Sequence, residues 1–528
     1  MKKRLVCILL AVALLLALAP ALGGDAAAES ISLSGVEETA PGAAELPARY
    51  DLRELGLVTG AKNQGKYGTC WAFAAASAME SNALVRGCGE YDISEYQLCY
   101  AQTHILDFEG DTAAGEGPEN SLWYWGVYGA TISSTLLRGY GLRSEEEYPY
   151  SMMPEELPKE GVSTDGILFP DSCYTVPATN TRAIKELIMK NGAVVLPVCA
   201  TSWTERGTAN TETWALYHPQ YRKYPDTDHD IALVGWDDGY SRDNFSTAPP
   251  GDGAWIIKNS WGTEDGEEGF FYLSYYDAAF NQNNCVMSMT VRNERSWDRI
   301  YQYDGGTGLM LAGKATDVVI NFTAAENESV TGVRIKPTGD LDYRYYYTYD
   351  WSFDSTDATI CVFRGVFDPE TPDAAEPVYT QKYRVEYPDY QTVDFDAAVP
   401  LRKGENYYVR VSFDRPVFYA LDGKDGHFGY QNTAGAEPGE TYLKMENTQG
   451  EGEWKDCVEV ISAYYPSSAC IKVLTRNRTP AFGENARVFV EEKIGIPAAC
   501  AIAGGAALIC VFAAVLNARK KRGKKTEQ

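Results

Sequence analysis

The most informative stretch of the 528-residue chain is residues 63–73, which read Asn-Gln-Gly-Lys-Tyr-Gly-Thr-Cys-Trp-Ala-Phe. Cys70 stands where a glycine-containing turn leads into the Ala-rich stretch Cys70 to Val85, which predicts a helix. A helix N-terminus stabilises negative charge, and a cysteine attacks as its thiolate. Cys70 is therefore the candidate nucleophile. The side-chain amide of Gln64 and the backbone N–H of Cys70 are candidate donors to an oxyanion.

A base for this cysteine must come from the four histidines of the chain. His229 precedes an apolar run that predicts a strand, so its imidazole is expected at the entrance of a rigid element. Asn259 and Trp261 belong to the motif Asn-Ser-Trp-Gly. Asn259 can accept a hydrogen bond from the second imidazole nitrogen, and Trp261 can shield that bond from water. Together with Cys70, these residues predict a nucleophile, a base and an orienting group in one site.

These three blocks resemble the signature blocks of the papain family of cysteine proteases. Weaker similarities lie between them, at Ile93 to Cys99 and at Ser144 to Tyr150. The resemblance covers about Leu46 to Val291 and implies an α+β, two-lobed fold, helical and then β-rich, with substrate in the cleft between the lobes. It implies no cofactor and no metal. By position it implies Cys70 as nucleophile, His229 as base and acid, Asn259 as orienting residue, Gln64 as oxyanion donor and Trp261 as a supporting residue.

Two features depart from the common family pattern. Tyr67 stands where a cysteine is usual, so the family's disulfide to the Cys99 position cannot form. The separation of Cys70 and His229 also exceeds the spacing of about 130–150 residues expected for this family. We assign the excess to insertions around 201–228 and 239–253, which are expected to form loops at the cleft edge.

The charged residues and cysteines of the chain indicate which partners and cross-links the protein can have. The formal net charge of −26 argues against a nucleic-acid partner, because phosphate binding needs clustered positive charge. Nine of the twelve cysteines lie outside the two terminal apolar segments. They are either paired in disulfides or buried as thiols, and the sequence alone leaves both open. The run Asp226, Asp228 and Asp230 lacks the glycine and the terminal glutamate of a calcium loop and is interpreted as a solvated loop.

A second domain is predicted at 297–476. Short runs rich in Tyr, Val and Thr replace the helical signals, and the alternation over Asn406 to Asp414 is the clearest strand pattern. Such runs predict a β-sandwich of jelly-roll type. The region resembles the lectin-like domain that follows the protease in some bacterial surface cysteine proteases, partly through Tyr301 to Gly306. It either contacts carbohydrate, calcium or the cell wall, or is a packing module for the protease. The packing role is favoured slightly, because no set of sugar-binding residues is recognisable in the sequence.

Both termini carry targeting patterns. Residues 1–24 combine basic residues, a short apolar run and small residues, which predicts a secretory signal peptide rather than an uncleaved anchor. Residues 25–45 are interpreted as a linker or short pro-segment. The uncharged segment 494–518 predicts one transmembrane helix, and the basic tail 519–528 is expected in the cytoplasm. The sequence thus predicts a single-pass protein of the cell membrane with both folded domains outside.

The function expected from these features is hydrolysis of a protein or peptide substrate through a thioester acyl-enzyme on Cys70. Two alternatives stay open. One is a surface adhesin or carbohydrate-binding protein in which the protease-like domain is a scaffold. The other is a transglutaminase-like acyl transferase, which shares the cysteine and histidine chemistry.

Overall fold

The computed structural model describes eleven segments of the chain, and residues 46–478 form one compact unit. The predicted signal peptide 1–24, the transmembrane segment 494–518 and the tail 519–528 lie outside the described residues, as does most of 25–45. None of the helices within the described segments has the length and apolar character needed to cross a bilayer. The described residues are 45–103, 129–153, 163–205, 208–219, 227–281, 284–304, 310–338, 353–423, 437–446, 452–460 and 467–479.

The first half of the unit carries a short strand and then helices. The elements are β1 (Arg49–Asp51), α1 (Cys70–Val85), α2 (Glu95–Thr103) and α3 (Gly129–Leu136). Helix α1 confirms the prediction from the Ala-rich stretch, and it is buried from Cys70 to Ala83. Small alanine side chains allow neighbouring elements to approach a helix on every side. The sequence also predicts a helix over 121–137. Helix α3 confirms its C-terminal part, and 121–128 lie outside the described residues.

A nine-stranded sheet follows. Its order is β2-β9-β3-β6-β7-β8-β5-β4, with β1 paired to β6, and only β5 and β8 are parallel neighbours. The sequence predicts strands at 193–198, 231–236, 254–258 and 269–275 from their apolar and β-branched residues, and the structure confirms them as β3, β6, β7 and β8. The elements are β2 (Phe169–Pro177), α4 (Thr181–Asn191), β3 (Val194–Val198), α5 (Thr201–Glu205), β4 (Ala209–Asn210), β5 (Ala215–Leu216), β6 (His229–Asp237), β7 (Ala254–Lys258), β8 (Phe270–Ser274) and β9 (Cys285–Arg292).

One expected loop is wrong in part. The insertion around 201–228 contains helix α5 and strands β4 and β5, rather than loop alone. The reason is burial of apolar side chains: Trp203 and Leu216 both belong to the core of the sheet. Within 239–253, the structure has turns and a short 3-10 helix, Arg242–Asn244, as expected for a loop.

Helix α1 packs on β6 and β9, which brings its N-terminus to the end of β6 that begins with His229. Helix α4 ends at Gly192, whose φ of +90° suits glycine. A Cβ at Gly192 would lie 2.5 Å from Ser81 Oγ in α1, so glycine is also needed for the close approach of the two helices. These contacts set the position of Cys70 relative to the sheet.

The remaining strands form a β-sandwich, as predicted. One sheet has the order β10-β21-β12-β16, and the other has β15-β14-β17-β11-β18-β19 with β13 and β20 paired to β17. Their facing side chains form one core. The elements are β10 (Arg299–Tyr301), β11 (Met310–Thr323), β12 (Glu328–Ile335), β13 (Pro337–Thr338), β14 (Thr356–Arg364), β15 (Tyr379–Val385), β16 (Gln391–Leu401), β17 (Asn406–Gly423), β18 (Thr441–Glu446), β19 (Gly452–Asp456), α6 (Cys457–Val460), β20 (Ser467–Ala469) and β21 (Ile471–Asn477).

The sandwich is joined to the first half by buried charged groups. Arg334 in β12 is fully buried and donates to the carbonyls of Leu137 at 2.6 Å and Pro170 at 2.9 Å. Its guanidinium lies 4.6 Å from the centre of the Trp297 ring. Further along, Asp389 accepts from Ser133 and Thr175, both at 2.9 Å. Because buried charges are costly unless paired, these contacts fix the relative position of the two halves.

All nine cysteines within the described segments are free thiols. Five of them are buried, which fits the alternative that they pack as small apolar groups. The buried ones are Cys70, Cys99, Cys173, Cys457 and Cys470.

Candidate active site

Cys70 is the first residue of α1, where the backbone amides of the first helical turn have no partner within the helix. Burial raises the pKa of the Cys70 thiol to about 12, and the carboxylate of Asp230 adds to this rise. Hydrogen bonds from the backbone amides of Asp230 and Trp71 act in the opposite direction. The resting thiol is therefore protonated, and a base must remove its proton before it can attack.

His229 is the first residue of β6, and its Nε2 lies 2.7 Å from Asn259 Oδ1. The same oxygen accepts from the backbone N–H of Ser260 at 2.8 Å, which an amide nitrogen could not do. Nε2 therefore carries the hydrogen, and Nδ1 is the basic nitrogen of the neutral ring. Burial lowers the pKa of His229, against the hydrogen bond to Asn259 and the charge of Asp228. The ring is thus held neutral and oriented.

Trp261 covers the imidazole. The centres of the Trp261 and His229 rings lie 4.9 Å apart, with 31° between their planes, and Trp261 remains 37% exposed. The ring centres of Trp261 and Trp203 lie 6.3 Å apart, with 66° between the ring planes. Trp203, in α5, is a contact that the sequence did not indicate, because the segment around it carries no family motif and was expected to be a loop.

Gln64 is buried and tied to the segment that carries Asn259. Its backbone N–H donates to the carbonyl of Ser260 at 2.8 Å, and Ser260 Oγ donates to Gln64 Oε1 at 2.6 Å. The amide nitrogen donates to the carbonyl of Tyr67 at 2.8 Å. A side-chain amide has two hydrogens, so this bond leaves one for another acceptor. The acceptor on Oε1 fixes which way the amide points.

A cluster of buried charges lies behind these residues. Lys62 Nζ contacts Glu80 and Glu95, each at 2.9 Å, and Glu80 also accepts from the backbone N–H of Ile93 at 2.9 Å. Burial raises the pKa of Glu95 to about 8 and lowers that of Lys258 to about 8. The cluster joins the chain before Gln64 to α1 and α2. The members of this cluster are far apart in the chain, so no local sequence pattern indicates it.

One sequence interpretation in this region needs correction. Asp230 does not lie in a solvated loop: it is half-buried within β6. Asp228 is exposed, and its carboxylate accepts from the backbone N–H groups of Ala200 at 2.6 Å and Thr201 at 3.2 Å. Asp226 lies outside the described residues. Asp230 is partly buried because β6 pairs with β3 at this position.

Comparison with known proteins shows which families the two domains match. Residues 46–293 match the model of the papain family cysteine protease, and residues 300–475 match that of a lectin-like domain. Residues 46–293 are a papain-family cysteine protease domain.

Relatives of the papain-family domain include Cysteine proteinase 1 of Dictyostelium discoideum, 26% identical over 249 residues, or 46% of this chain and 64% of that protein. The probable cysteine protease RD19B of Arabidopsis thaliana is 30% identical over 238 residues, 43% of this chain and 58% of that protein. The chain thus spans about three-fifths of the length of these relatives.

A solved structure shares the two-domain fold. It is that of the cysteine protease and lectin-like domains of Cwp84, a surface layer associated protein of Clostridium difficile. The TM-score is 0.62 at 23% sequence identity, over 82% of this chain and 89% of that one. The papain-family domain and the sandwich therefore occur together in another protein with the same fold.

Proposed function

We propose that the protein is a cysteine endopeptidase in which Cys70, His229 and Asn259 carry the reaction. The observation that carries this proposal is the 2.7 Å hydrogen bond from His229 to Asn259 beneath Trp261, because it leaves the basic nitrogen of His229 free for a thiol. The papain-family domain supports the same reaction class.

In the proposed mechanism, His229 Nδ1 takes the proton of Cys70 as the sulfur bonds to the carbonyl carbon of the peptide. The carbonyl oxygen becomes an oxyanion, to which the backbone N–H of Cys70 and the remaining amide hydrogen of Gln64 donate. The C–N bond then breaks as His229 gives its proton to the leaving amine, and a thioester remains. Water, deprotonated by His229, attacks the thioester and releases the acid and the thiol. The chemistry needs no cofactor.

The test is covalent labelling with an irreversible epoxide inhibitor of thiol proteases. We expect the wild type to be labelled once and Cys70→Ala not at all. Cys88→Ala is the matched control, since Cys88 is also a free thiol but is partly exposed and outside the site. Equal labelling of wild type and Cys70→Ala would refute the assignment of the nucleophile. Hydrolysis of an unstructured protein without an added amine would separate a peptidase from an acyl transferase.

We further infer that the enzyme acts outside the cell and is held to the membrane. Support comes from the targeting patterns of 1–24 and 494–518, with the basic tail 519–528. Cwp84, which shares the fold, is a surface layer associated protein. The expected substrate is accordingly a protein or peptide on the outer face of the cell.

For the sandwich, 297–476, we propose a packing role rather than the alternative of carbohydrate or cell-wall contact. The buried contacts of Arg334 and Asp389 with the papain-family domain support this role. A module that only bound sugar would not need fully buried charges facing the protease.

A further inference from the structure

Three half-buried side chains form a row across one end of the protease sheet. Pro197 of β3 pairs with Asp230 of β6. On its other side β3 pairs with β9, Val195 with Met287, and continuing this antiparallel register by two residues places Pro197 opposite Cys285. The hydrogen bond from Asn284 Nδ2 to the carbonyl of Pro197, at 2.9 Å, agrees with this placement.

Residues directly opposite one another on neighbouring strands point to the same face of a sheet. Asp230, Pro197 and Cys285 are each half-buried, whereas the residues before and after them in β6, β3 and β9 are buried where they belong to those strands. The row is therefore a locally open patch between buried neighbours in these three strands. Pro197 and Cys285 form an apolar floor of this patch, and the carboxyl group of Asp230 lies at one end of it.

The patch lies beside the proposed reaction centre. Asp230 is next to His229 in β6, and its carboxylate and backbone N–H both act on the Cys70 thiol. Asp230 also lines a cavity with Phe73 and Ala74 of α1, and the charged residues Lys62, Glu80, Glu95 and Lys258 line the same cavity. A substrate residue adjacent to the bond under attack by Cys70 would place its side chain against this row.

The carboxyl group of Asp230 has no hydrogen-bond or ion-pair partner among the described residues, which sets it apart from nearby carboxylates. Asp228 accepts two backbone hydrogen bonds, and Asp237, at the far end of β6, lies 3.5 Å from Arg49. Burial raises the pKa of Asp230 to about 7. A half-buried carboxylate without a partner gains most from a cation supplied by the ligand.

We propose that Asp230 gives this enzyme a preference for substrates with a lysine or arginine side chain over Pro197 and Cys285. The methylene groups of a basic side chain would pack on the proline and the thiol, and its charged end would meet the carboxylate. This inference rests on the proposed peptidase function and names the substrate class of the same site.

The experiment measures kcat/KM on fluorogenic peptides in which each position on the acyl side of the cleaved bond is scanned with lysine, arginine and the neutral residue norleucine. We expect the wild type to favour lysine or arginine over norleucine at one position by about tenfold or more. In Asp230→Asn this ratio should fall towards one. Because the ratio is taken within each variant, a general effect of the substitution on Cys70 or His229 cancels.

Asp237→Asn is the matched control, since it removes a carboxylate from the same strand, and its ratio should equal that of the wild type. A wild-type ratio near one at every position would overturn the proposal without any variant. An unchanged ratio in Asp230→Asn would also overturn it.

Epoxide labelling of Cys70 distinguishes a failure of the proposed role of Asp230 from a failure of the proposed peptidase function. If wild type is labelled and hydrolyses peptides without a basic preference, only the role of Asp230 fails. If it is neither labelled nor active, the peptidase function fails and this inference with it.

Discussion

The substitution Asp304→Asn tests how far a buried ion pair beside the junction of the two domains stabilises the protein. Asp304 and Lys472 are both fully buried, and their side chains form an ion pair. Tyr390 also donates to the Asp304 carboxylate at 2.6 Å. The backbone carbonyl of Asp304 accepts a hydrogen bond from Arg138, which follows α3 in the protease half. The pair therefore sits at the junction of the two domains.

The charges of this pair determine the size of the effect. Burial alone would raise the pKa of Asp304, but Lys472 and Arg138 lower it below its usual range, so the carboxylate is ionised at neutral pH. Burial lowers the pKa of Lys472 to about 8 even with Asp304 present. Asparagine would leave a buried ammonium with no counter-ion. Removing one partner of a buried pair costs about 3–5 kcal/mol. The variant could instead fold with Lys472 deprotonated. For a lysine of ordinary pKa this costs about 4–5 kcal/mol at pH 7, which is similar to the cost of the unpaired charge.

The assay is equilibrium unfolding in urea, followed by tryptophan fluorescence. Trp297 is a suitable reporter because it is buried against Arg334 at the junction. We expect Asp304→Asn to lower the free energy of unfolding by about 3–5 kcal/mol. The double variant Asp304→Asn, Lys472→Met is the control, and it should recover part of the loss because it removes the buried ammonium of Lys472, although Arg138 still no longer faces the Asp304 carboxylate.

Either of two results would refute this reasoning. One is a loss below about 1 kcal/mol for Asp304→Asn, the range of ordinary surface substitutions. The other is a double variant as unstable as the single one, which would show that the loss does not come from the unpaired ammonium of Lys472. In both cases the ion pair of Asp304 with Lys472 would not be a main source of stability beside the junction.

Other predictions concern the site itself. Asn259→Ala should lower kcat/KM about tenfold to hundredfold, because His229 loses its orienting hydrogen bond; steady-state kinetics checks this, and an unchanged value would contradict it. The preference for lysine over norleucine should rise from about pH 6 to about pH 8, as Asp230 with its pKa near 7 loses its proton; a ratio independent of pH would speak against Asp230. Glu80→Gln should destabilise the protein by about 1.5–3 kcal/mol through loss of its charged bond to Lys62; a thermal midpoint equal to that of wild type would exclude this.

Local patterns predicted much of the fold correctly. Helix α1 follows from an unbroken Ala-rich stretch, and strand β17 from the alternation that begins at Asn406, because both depend on propensity and side-chain period. Strand β9 and helix α5 were missed. The polar content of β9 hides its period, and α5 is a short helix held by the packing of Trp203 into the core.

The sequence by itself determined that the chain contains a papain-family domain, because a cysteine at a helix start, a histidine at a strand start and an Asn-Ser-Trp-Gly motif are local signals. Only the tertiary structure decided what surrounds them. The half-buried position of Asp230 depends on its neighbouring strand, and the contact of Trp261 with Trp203 and the buried pair of Asp304 with Lys472 join residues that are distant in the chain. Burial and pairing are properties of a packed neighbourhood, so no spacing along the chain could have indicated them.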